Sequence, residues 1–150
     1  MSLDVYLEVE KAVAVSEDPL ICVRVDGRMR EITRAEWDKV HPDREPIMIT
    51  PEHETNTVYH GNITHNLGKM ANKAGIYQAL WRPEEVAITK GGELIELLAT
   101  GLQKLRSDPD RFKAMNPPNG WGSYESLLEF VGEYLIACMA YPNATIRVWR

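Results

Sequence analysis

Cysteine is scarce in this sequence: Cys22 and Cys138 are the only two among 150 residues. Two cysteines are too few for a disulfide framework or a four-cysteine zinc site, and they suit a reducing compartment. Long apolar runs are also missing, so no segment has the length that a membrane-spanning helix needs. The N-terminus lacks the basic and apolar regions of a secretory signal peptide. These absences predict a cytoplasmic protein that does not associate with a membrane.

An excess of basic residues is missing as well. Lys and Arg number 17 against 22 Asp and Glu, which leaves a formal net charge of -5. A chain of this charge has no overall field to attract a nucleic acid polymer, so we expect any bound anion to meet a local pocket. With 150 residues, 44% of them apolar, the chain has the size and composition of a single folded domain, residues 1–150.

Motifs of known catalytic and cofactor sites are absent from the sequence. There is no G-x-S-x-G nucleophile elbow, no phosphate-binding loop and no dinucleotide-binding glycine pattern. Cys22 lies in a predicted strand and Cys138 on an apolar helix face, which is typical of core residues. His60 and His65 are five positions apart, not the four that place two metal ligands on one helical face. The sequence therefore predicts no metal and no cofactor, although ligands from separate elements are left open.

The first part of the chain has the patterns of β-strands. Residues 4–10 alternate between apolar and polar side chains, as a half-buried strand does. Two further predicted strands, residues 20–25 and 28–32, flank Asp26-Gly27, a pair that favours a tight two-residue hairpin turn. Shorter strands are predicted at residues 47–50, 58–61 and 144–149.

Helices are predicted from their capping residues and from apolar positions that recur every three or four residues. Thr33 with Glu36 forms a capping box, Ser123 is a candidate N-cap, and Gly75 suits the position just after a helix end. The predicted helices cover residues 34–40, 64–74, 76–81, 94–108, 109–115 and 124–139. The last of them is expected to turn these side chains inward: Leu127, Leu128, Val131, Leu135, Cys138 and Met139.

The order of these elements predicts an α+β fold. Strands dominate the first part of the chain and helices the second, with one strand at the end. We expect a mainly antiparallel sheet, built from the N-terminal strands and the C-terminal strand, with helices of the second half on one face. The last strand is expected beside the first, because exposed apolar strands need a partner.

The densest polar segment is residues 52–66, which holds three of the four histidines. If a strand ends and a helix begins there, the helix N-terminus presents unpaired backbone N–H groups and a partial positive charge. Such an end can bind a phosphate or a carboxylate. The candidate ligand-binding residues in this segment are His60, Asn62, Thr64, His65 and Asn66. In the alternative interpretation, Thr64 only caps the helix and Asn62 only shapes the turn.

Two further segments combine aromatic with polar side chains. Trp81 beside Arg82 suits a ring stacked on the indole and a phosphate held by the guanidinium. Residues 116–124 are rich in Gly and Pro, which allow close backbone approach, and Trp121 or Tyr124 could stack on a ligand. In the alternative, Trp81 packs into the core and Arg82 pairs with a nearby carboxylate. Residues 116–124 are then only a stiff connection between helices.

Three strings of residues resemble a known group of proteins: Asn62-Ile63-Thr64-His65-Asn66-Leu67, the Leu-Trp-Arg-Pro-Glu-Glu of residues 80–85, and the Asn-Pro-Pro-Asn-Gly-Trp-Gly of residues 116–122. Through them the chain is similar to a family of small phage and bacterial proteins without an assigned activity. The resemblance covers roughly the last two-thirds of the chain and implies no catalytic residue. Its phage setting implies a protein that binds a host signalling nucleotide or a host protein. Residues 20–49 have no counterpart in the resemblance and are a candidate hairpin and helix insertion.

Three functions follow as hypotheses. The preferred one is a binding module for a small anionic, nucleotide-like molecule, held where the helix after Thr64 begins and enclosed by the aromatic and basic residues named above. The second is a hydrolase in which His60 or His65 acts as general acid or base with Glu54 or Glu84. The third is a structural or interaction protein, with a homodimer as its form, in which the polar residues only shape loops.

Overall fold

The computed structural model describes residues 1–11, 21–46 and 55–150. The chain divides into a main unit, Met1–Glu10 with Thr55–Arg150, and an inserted unit, Lys11–Glu54. The strands are β1 (Ser2–Glu10), β2 (Ile21–Val25), β3 (Arg28–Ile32), β4 (Thr55–Thr64) and β5 (Thr145–Trp149). The α-helices are α1 (Arg34–Val40), α2 (Gly68–Lys73), α3 (Tyr77–Trp81), α4 (Gly91–Ser107), α5 (Pro109–Lys113) and α6 (Tyr124–Ala140). The strand predicted at residues 47–50, and the candidate base Glu54, lie outside the described residues.

The main unit contains a three-stranded antiparallel sheet in the order β4-β1-β5. The C-terminal strand lies beside the first, as predicted, with Asp4 opposite Trp149. Side chains of β1 alternate between the two faces of the sheet, and Leu3, Val5 and Leu7 are fully buried on one of them. That apolar face is the base on which the helices pack.

Helices of the second half cover this face, which confirms the predicted α+β class. Leu94 and Leu98 of α4 and Val131 and Cys138 of α6 belong to the same buried cluster as the apolar residues of β1. The cluster extends through α2 and α3, so one core serves the whole main unit. Among the described residues, no helix combines the length and the apolar character needed to cross a membrane.

The local signals for helix ends are confirmed. The Ser123 hydroxyl accepts the Ser126 N–H at 3.1 Å, and Gly75 has a φ of +79°. One expectation about burial is wrong, because Met139 is 61% exposed. The buried stripe of α6 reaches Cys138, and the next residue is rotated about 100° around the helix axis, away from the core.

The inserted unit contains the predicted hairpin followed by α1. Asp26 and Gly27 both have positive φ, +50° and +77°, as the tight turn between β2 and β3 requires. The capping box is present, because Glu36 accepts the Thr33 N–H at 2.8 Å and Thr33 accepts the Glu36 N–H at 3.2 Å. One expectation is corrected: β2 and β3 form a sheet of their own. The two strands pair with each other over their whole length, from Ile21 opposite Ile32 to Val25 opposite Arg28.

Candidate functional site

The predicted strand, turn and helix around Thr64 are present, but the first backbone amides are already used. β4 ends at Thr64, a 3-10 turn covers His65–Leu67, and α2 follows. The Asn66 N–H donates to the Thr64 hydroxyl at 3.3 Å, and the His65 N–H donates to the Met1 carbonyl at 3.3 Å. Thr64 is therefore the cap of the alternative interpretation, and these two amides are not free to bind an anion.

His60 and Asn62 lie together on the outer face of the sheet, opposite the helices. Both contact one oxygen of Asp4, the imidazole Nε2 at 2.9 Å and the carboxamide at 2.8 Å. The hydrogen bonds from Asn62 and then His60 hold the pKa of the Asp4 carboxyl below its ordinary value. The His60 ring also stacks on Tyr6, with 4.5 Å between ring centroids. An imidazole paired with a carboxylate is the arrangement that general-base catalysis uses, so this pair is what favours the hydrolase hypothesis.

His65 and Trp81 form a different pair, between the 3-10 turn and α3. The indole N–H donates to His65 Nδ1 at 2.9 Å, and Trp81 is only 2% exposed. Its ring stacks on Tyr77, with 5.2 Å between centroids. Trp81 therefore belongs to the core, and His65 is its hydrogen-bond acceptor.

Asn66 and Trp121 are brought together by the loop before α6. The Asn66 carboxamide donates to the Trp121 carbonyl at 3.3 Å, and the Trp121 N–H donates to Asn119 at 3.0 Å. The Trp121 indole itself is 70% exposed. The loop is thus braced from both sides while its largest side chain stays in solvent.

Arg82 and Tyr124 lie apart from these pairs. Arg82 donates to Glu85 at 2.9 Å, so it has the carboxylate partner of the alternative interpretation. It lines a polar depression of about 520 Å³ with Tyr77 and Gln78. Tyr124 is buried, and its hydroxyl donates to the Leu105 carbonyl at 2.9 Å. The nine candidate residues consequently divide among several places in the main unit.

The buried hydroxyls allow a paired test of the core. Tyr134 is fully buried and its hydroxyl has no partner among the described residues, and burial raises the pKa of this phenol. We expect Tyr134→Phe to leave the free energy of unfolding unchanged or to raise it by up to about 1 kcal/mol. Tyr124→Phe should lower it by about 0.5–1.5 kcal/mol, because the Leu105 carbonyl loses its donor. Urea unfolding followed by circular dichroism measures both free energies of unfolding. A larger loss for Tyr134→Phe than for Tyr124→Phe would contradict the hydrogen bonding assigned to the two hydroxyls.

One cleft does collect three of the candidates. The β4–α6 cleft, of about 390 Å³, is lined by residues 60–64 of β4, by Leu67 and Gly122, and by Ser126, Glu129, Phe130 and Glu133 of α6. The edge of β4 at His60, Asn62 and Thr64 thus forms one wall, and two carboxylates of α6 line the other, while the His60 and Asn62 side chains stay bound to Asp4 on the outer face. Within the described part of the chain, neither Glu129 nor Glu133 forms a salt bridge. The charge of this cleft favours a cationic ligand over an anionic one.

A second cleft, which the sequence analysis missed, lies within the inserted unit. The hairpin–α1 cleft, of about 420 Å³, is lined by residues 23–25, Arg30 and Ile32 of the hairpin and by Glu36 and residues 39–41 of α1 and its end. Apolar side chains form much of its wall, Arg30 and Lys39 add positive charge, and Glu36 adds a negative charge. Arg24 also borders the cleft, but the hairpin register places its side chain on the opposite face from Arg30. The available signal was the alternation of arginine with apolar residues on both sides of Asp26-Gly27.

The carboxylate that lines the hairpin–α1 cleft, Glu36, also caps helix α1. Glu36 accepts the Thr33 N–H in the capping box, and that backbone hydrogen bond lowers the pKa of its carboxyl. In the residues that the structure describes, Arg24, Arg30 and Lys39 form no salt bridge. Arg30 and Lys39 also lower the pKa of the Glu36 carboxyl through their charges, so the cleft carries two cations beside one carboxylate.

Comparison with known protein families, with curated proteins and with solved structures finds no match. The resemblance to small phage and bacterial proteins therefore stays a prediction. Among the described residues, no three side chains of His, Cys, Asp and Glu are grouped so that they could hold a metal ion. The clefts are therefore the features of the molecule that indicate what it binds.

Proposed function

We propose that the protein is a binding module for an anionic molecule with an apolar or planar part, and that the hairpin–α1 cleft is the site. The observation that carries the proposal is that Arg30 and Lys39, which form no salt bridge within the described residues, line the cleft beside an apolar wall. A guanidinium can hold a phosphate or carboxylate through two parallel hydrogen bonds, while Lys39 acts as a point charge. The apolar wall favours the less polar part of the same ligand.

A nucleotide is the ligand class that the sequence analysis predicts, and it fits this division of roles. Its phosphate would meet Arg30 and Lys39, and its base would lie against the valine and isoleucine side chains of the hairpin. The resemblance to phage proteins supports a host signalling nucleotide, which such a module would sequester. The other two clefts suit an anion less. Glu129 and Glu133 line one of them without any Lys or Arg, and Arg82 of the other is paired with Glu85, whereas Arg30 and Lys39 outnumber Glu36 in the hairpin–α1 cleft.

Calorimetric titration tests the proposal with AMP, adenosine and inorganic phosphate as probes. We expect AMP to bind more tightly than either of its parts, because only AMP uses both the cations and the apolar wall. Arg30→Gln combined with Lys39→Gln should weaken AMP binding about tenfold or more, which corresponds to about 1.4 kcal/mol. Adenosine binding should change little in the same variant.

Arg106→Gln is the control, because Arg106 is an exposed arginine of α4 that does not line the cleft. An equal loss of AMP binding in this variant would show a general charge effect and would contradict the assigned site. No binding of AMP at millimolar concentration would remove the nucleotide and leave the interaction hypothesis.

The hydrolase hypothesis rests on the His60–Asp4 pair and predicts a different result. In that case AMP or a related phosphoester would be recovered cleaved, and His60→Gln would abolish the cleavage while the Arg30→Gln and Lys39→Gln variant would not. Recovery of intact ligand from the wild-type protein favours the binding module.

A further inference from the structure

Among the described strands, β4 is an edge strand of the main sheet, with one side unpaired. It pairs with β1 on one side, and no described residue pairs with its other side. β5, the opposite edge of the sheet, is partly covered, because Lys90 bridges to Thr145 and the Ile146 N–H donates to the Thr89 carbonyl. An unpaired strand edge offers a row of backbone donors and acceptors to another strand.

The register shows which groups of β4 point outward. Ser2 lies opposite Thr64, so His65 continues the register opposite Met1, and the His65 N–H donates to the Met1 carbonyl. In an antiparallel pair, residues that exchange hydrogen bonds alternate with residues that do not. Counting back from His65, the residues whose N–H and C=O point away from β1 are Thr64, Asn62 and His60. These three positions can pair with an added strand.

The β4–α6 cleft runs along this free edge. It is lined by five consecutive residues, 60–64, although successive side chains of a strand point to opposite faces of the sheet. Five consecutive residues can line one cleft only through their shared edge, and β1 occupies the other edge. The lined stretch is roughly 14 Å long, which is enough for about five residues of an extended peptide.

The wall that α6 forms is acidic, and it determines which charge a bound peptide should carry. Glu129 and Glu133 are one helical turn apart, roughly 6 Å along the axis of α6. Side chains two positions apart on a strand are separated by roughly 6.8 Å and point to the same face. Two basic residues at positions i and i+2 of an extended peptide therefore match the spacing of the two carboxylates.

We propose that the β4–α6 cleft binds an extended basic peptide, which adds as a fourth strand beside β4 and places alternate Arg or Lys side chains against Glu129 and Glu133. A small cation would use the carboxylates but leave the outward groups of β4 unpaired. A second copy of β4 is a poorer partner, because residues 55–64 contain neither lysine nor arginine. This site is separate from the hairpin–α1 cleft and does not depend on the function proposed for it.

The test uses the full chain and the peptide acetyl-Thr-Arg-Val-Arg-Val-Thr-amide. We expect binding by calorimetry, and slower amide hydrogen exchange at His60, Asn62 and Thr64 when the peptide is present. Gly61 and Ile63 are internal controls, because their N–H groups already face β1 in this register. Glu129→Gln with Glu133→Gln should weaken binding about tenfold, whereas Glu96→Gln, an exposed glutamate of α4, should not.

Two N-methylated peptides separate strand addition from charge attraction alone. One carries methyl groups on the amides of the first, third and fifth residues and the other on those of the second, fourth and sixth. Strand addition predicts that one of the two loses binding and the other keeps most of it, since only alternate amides pair with β4. Equal binding of the two, unchanged exchange at Asn62, or equal binding of a peptide with Glu in place of Arg would overturn the proposal. So would a stable dimer in analytical ultracentrifugation whose β4 amides are protected without any peptide.

Discussion

Replacing Trp81 by alanine should lower the free energy of unfolding by about 3–5 kcal/mol, the range for a large aromatic side chain removed from a core. Trp81 is 2% exposed, stacks on Tyr77 and donates its indole N–H to His65. The substitution opens a cavity and leaves the His65 ring without its donor. Domains of this size are stable by about 5–15 kcal/mol, so this one side chain supports a large part of the fold.

Trp121→Ala is the matched control, because the same residue type is 70% exposed there. It should change the free energy of unfolding by no more than about 0.5 kcal/mol. Trp81→Phe keeps the variant measurable if the alanine variant fails to fold, since most of the ring volume remains and only the hydrogen bond is lost. Urea unfolding followed by circular dichroism gives all three values. Equal costs at the two tryptophans would contradict the assignment of Trp81 to the core.

Replacing Gly101 by alanine should also destabilise the protein, by about 1–3 kcal/mol. In an exposed helix interior the same change would gain up to about 1 kcal/mol from helix propensity. At Gly101 of α4, however, the added Cβ would lie 2.2 Å from Cγ2 of Ile76. The residue before α3 and the middle of α4 are packed too closely for a methyl group between them.

Gly132→Ala separates the packing effect from helix propensity. Gly132 is in the middle of α6, and no atom lies within 4 Å of an added Cβ. This variant should gain about 0.5–1 kcal/mol. Combining Gly101→Ala with Ile76→Leu, which removes the Cγ2 methyl, should recover part of the lost stability. Thermal or urea unfolding of the four proteins decides between a steric and a propensity effect.

The sequence alone does not distinguish a tryptophan that contacts a ligand from one that is buried in the core. Trp81 and Trp121 both stood beside polar residues and both were candidate ligand contacts. Only the packing of α3 against His65 and Tyr77 places the first indole in the interior. The second stays in solvent, because Asn66 and Asn119 bind its backbone rather than its ring.

The partners of the candidate anion-binding residues also could not be predicted from the sequence alone. The turn and helix after Thr64 were predicted, yet the His65 N–H is bound by the carbonyl of Met1, which is distant in sequence. Asp4, which joins His60 and Asn62, is likewise more than fifty residues away from them. Arg24, Arg30 and Lys39 were not singled out, because they come from three elements whose packing forms the hairpin–α1 cleft.

Features that depend on residues within about four positions of one another were determined by the sequence itself. They include the Asp26-Gly27 turn, the Thr33–Glu36 capping box, the Ser123 cap and the positive φ of Gly75. The tertiary structure decided what these elements face: which described strands pair with β4, which carboxylates line the β4–α6 cleft and which tryptophan is buried. The physical reason is the separation along the chain of the residues that interact. Turn and cap energies arise within a few bonds of backbone, whereas burial, strand order and charge pairing depend on segments that meet only when the chain has folded.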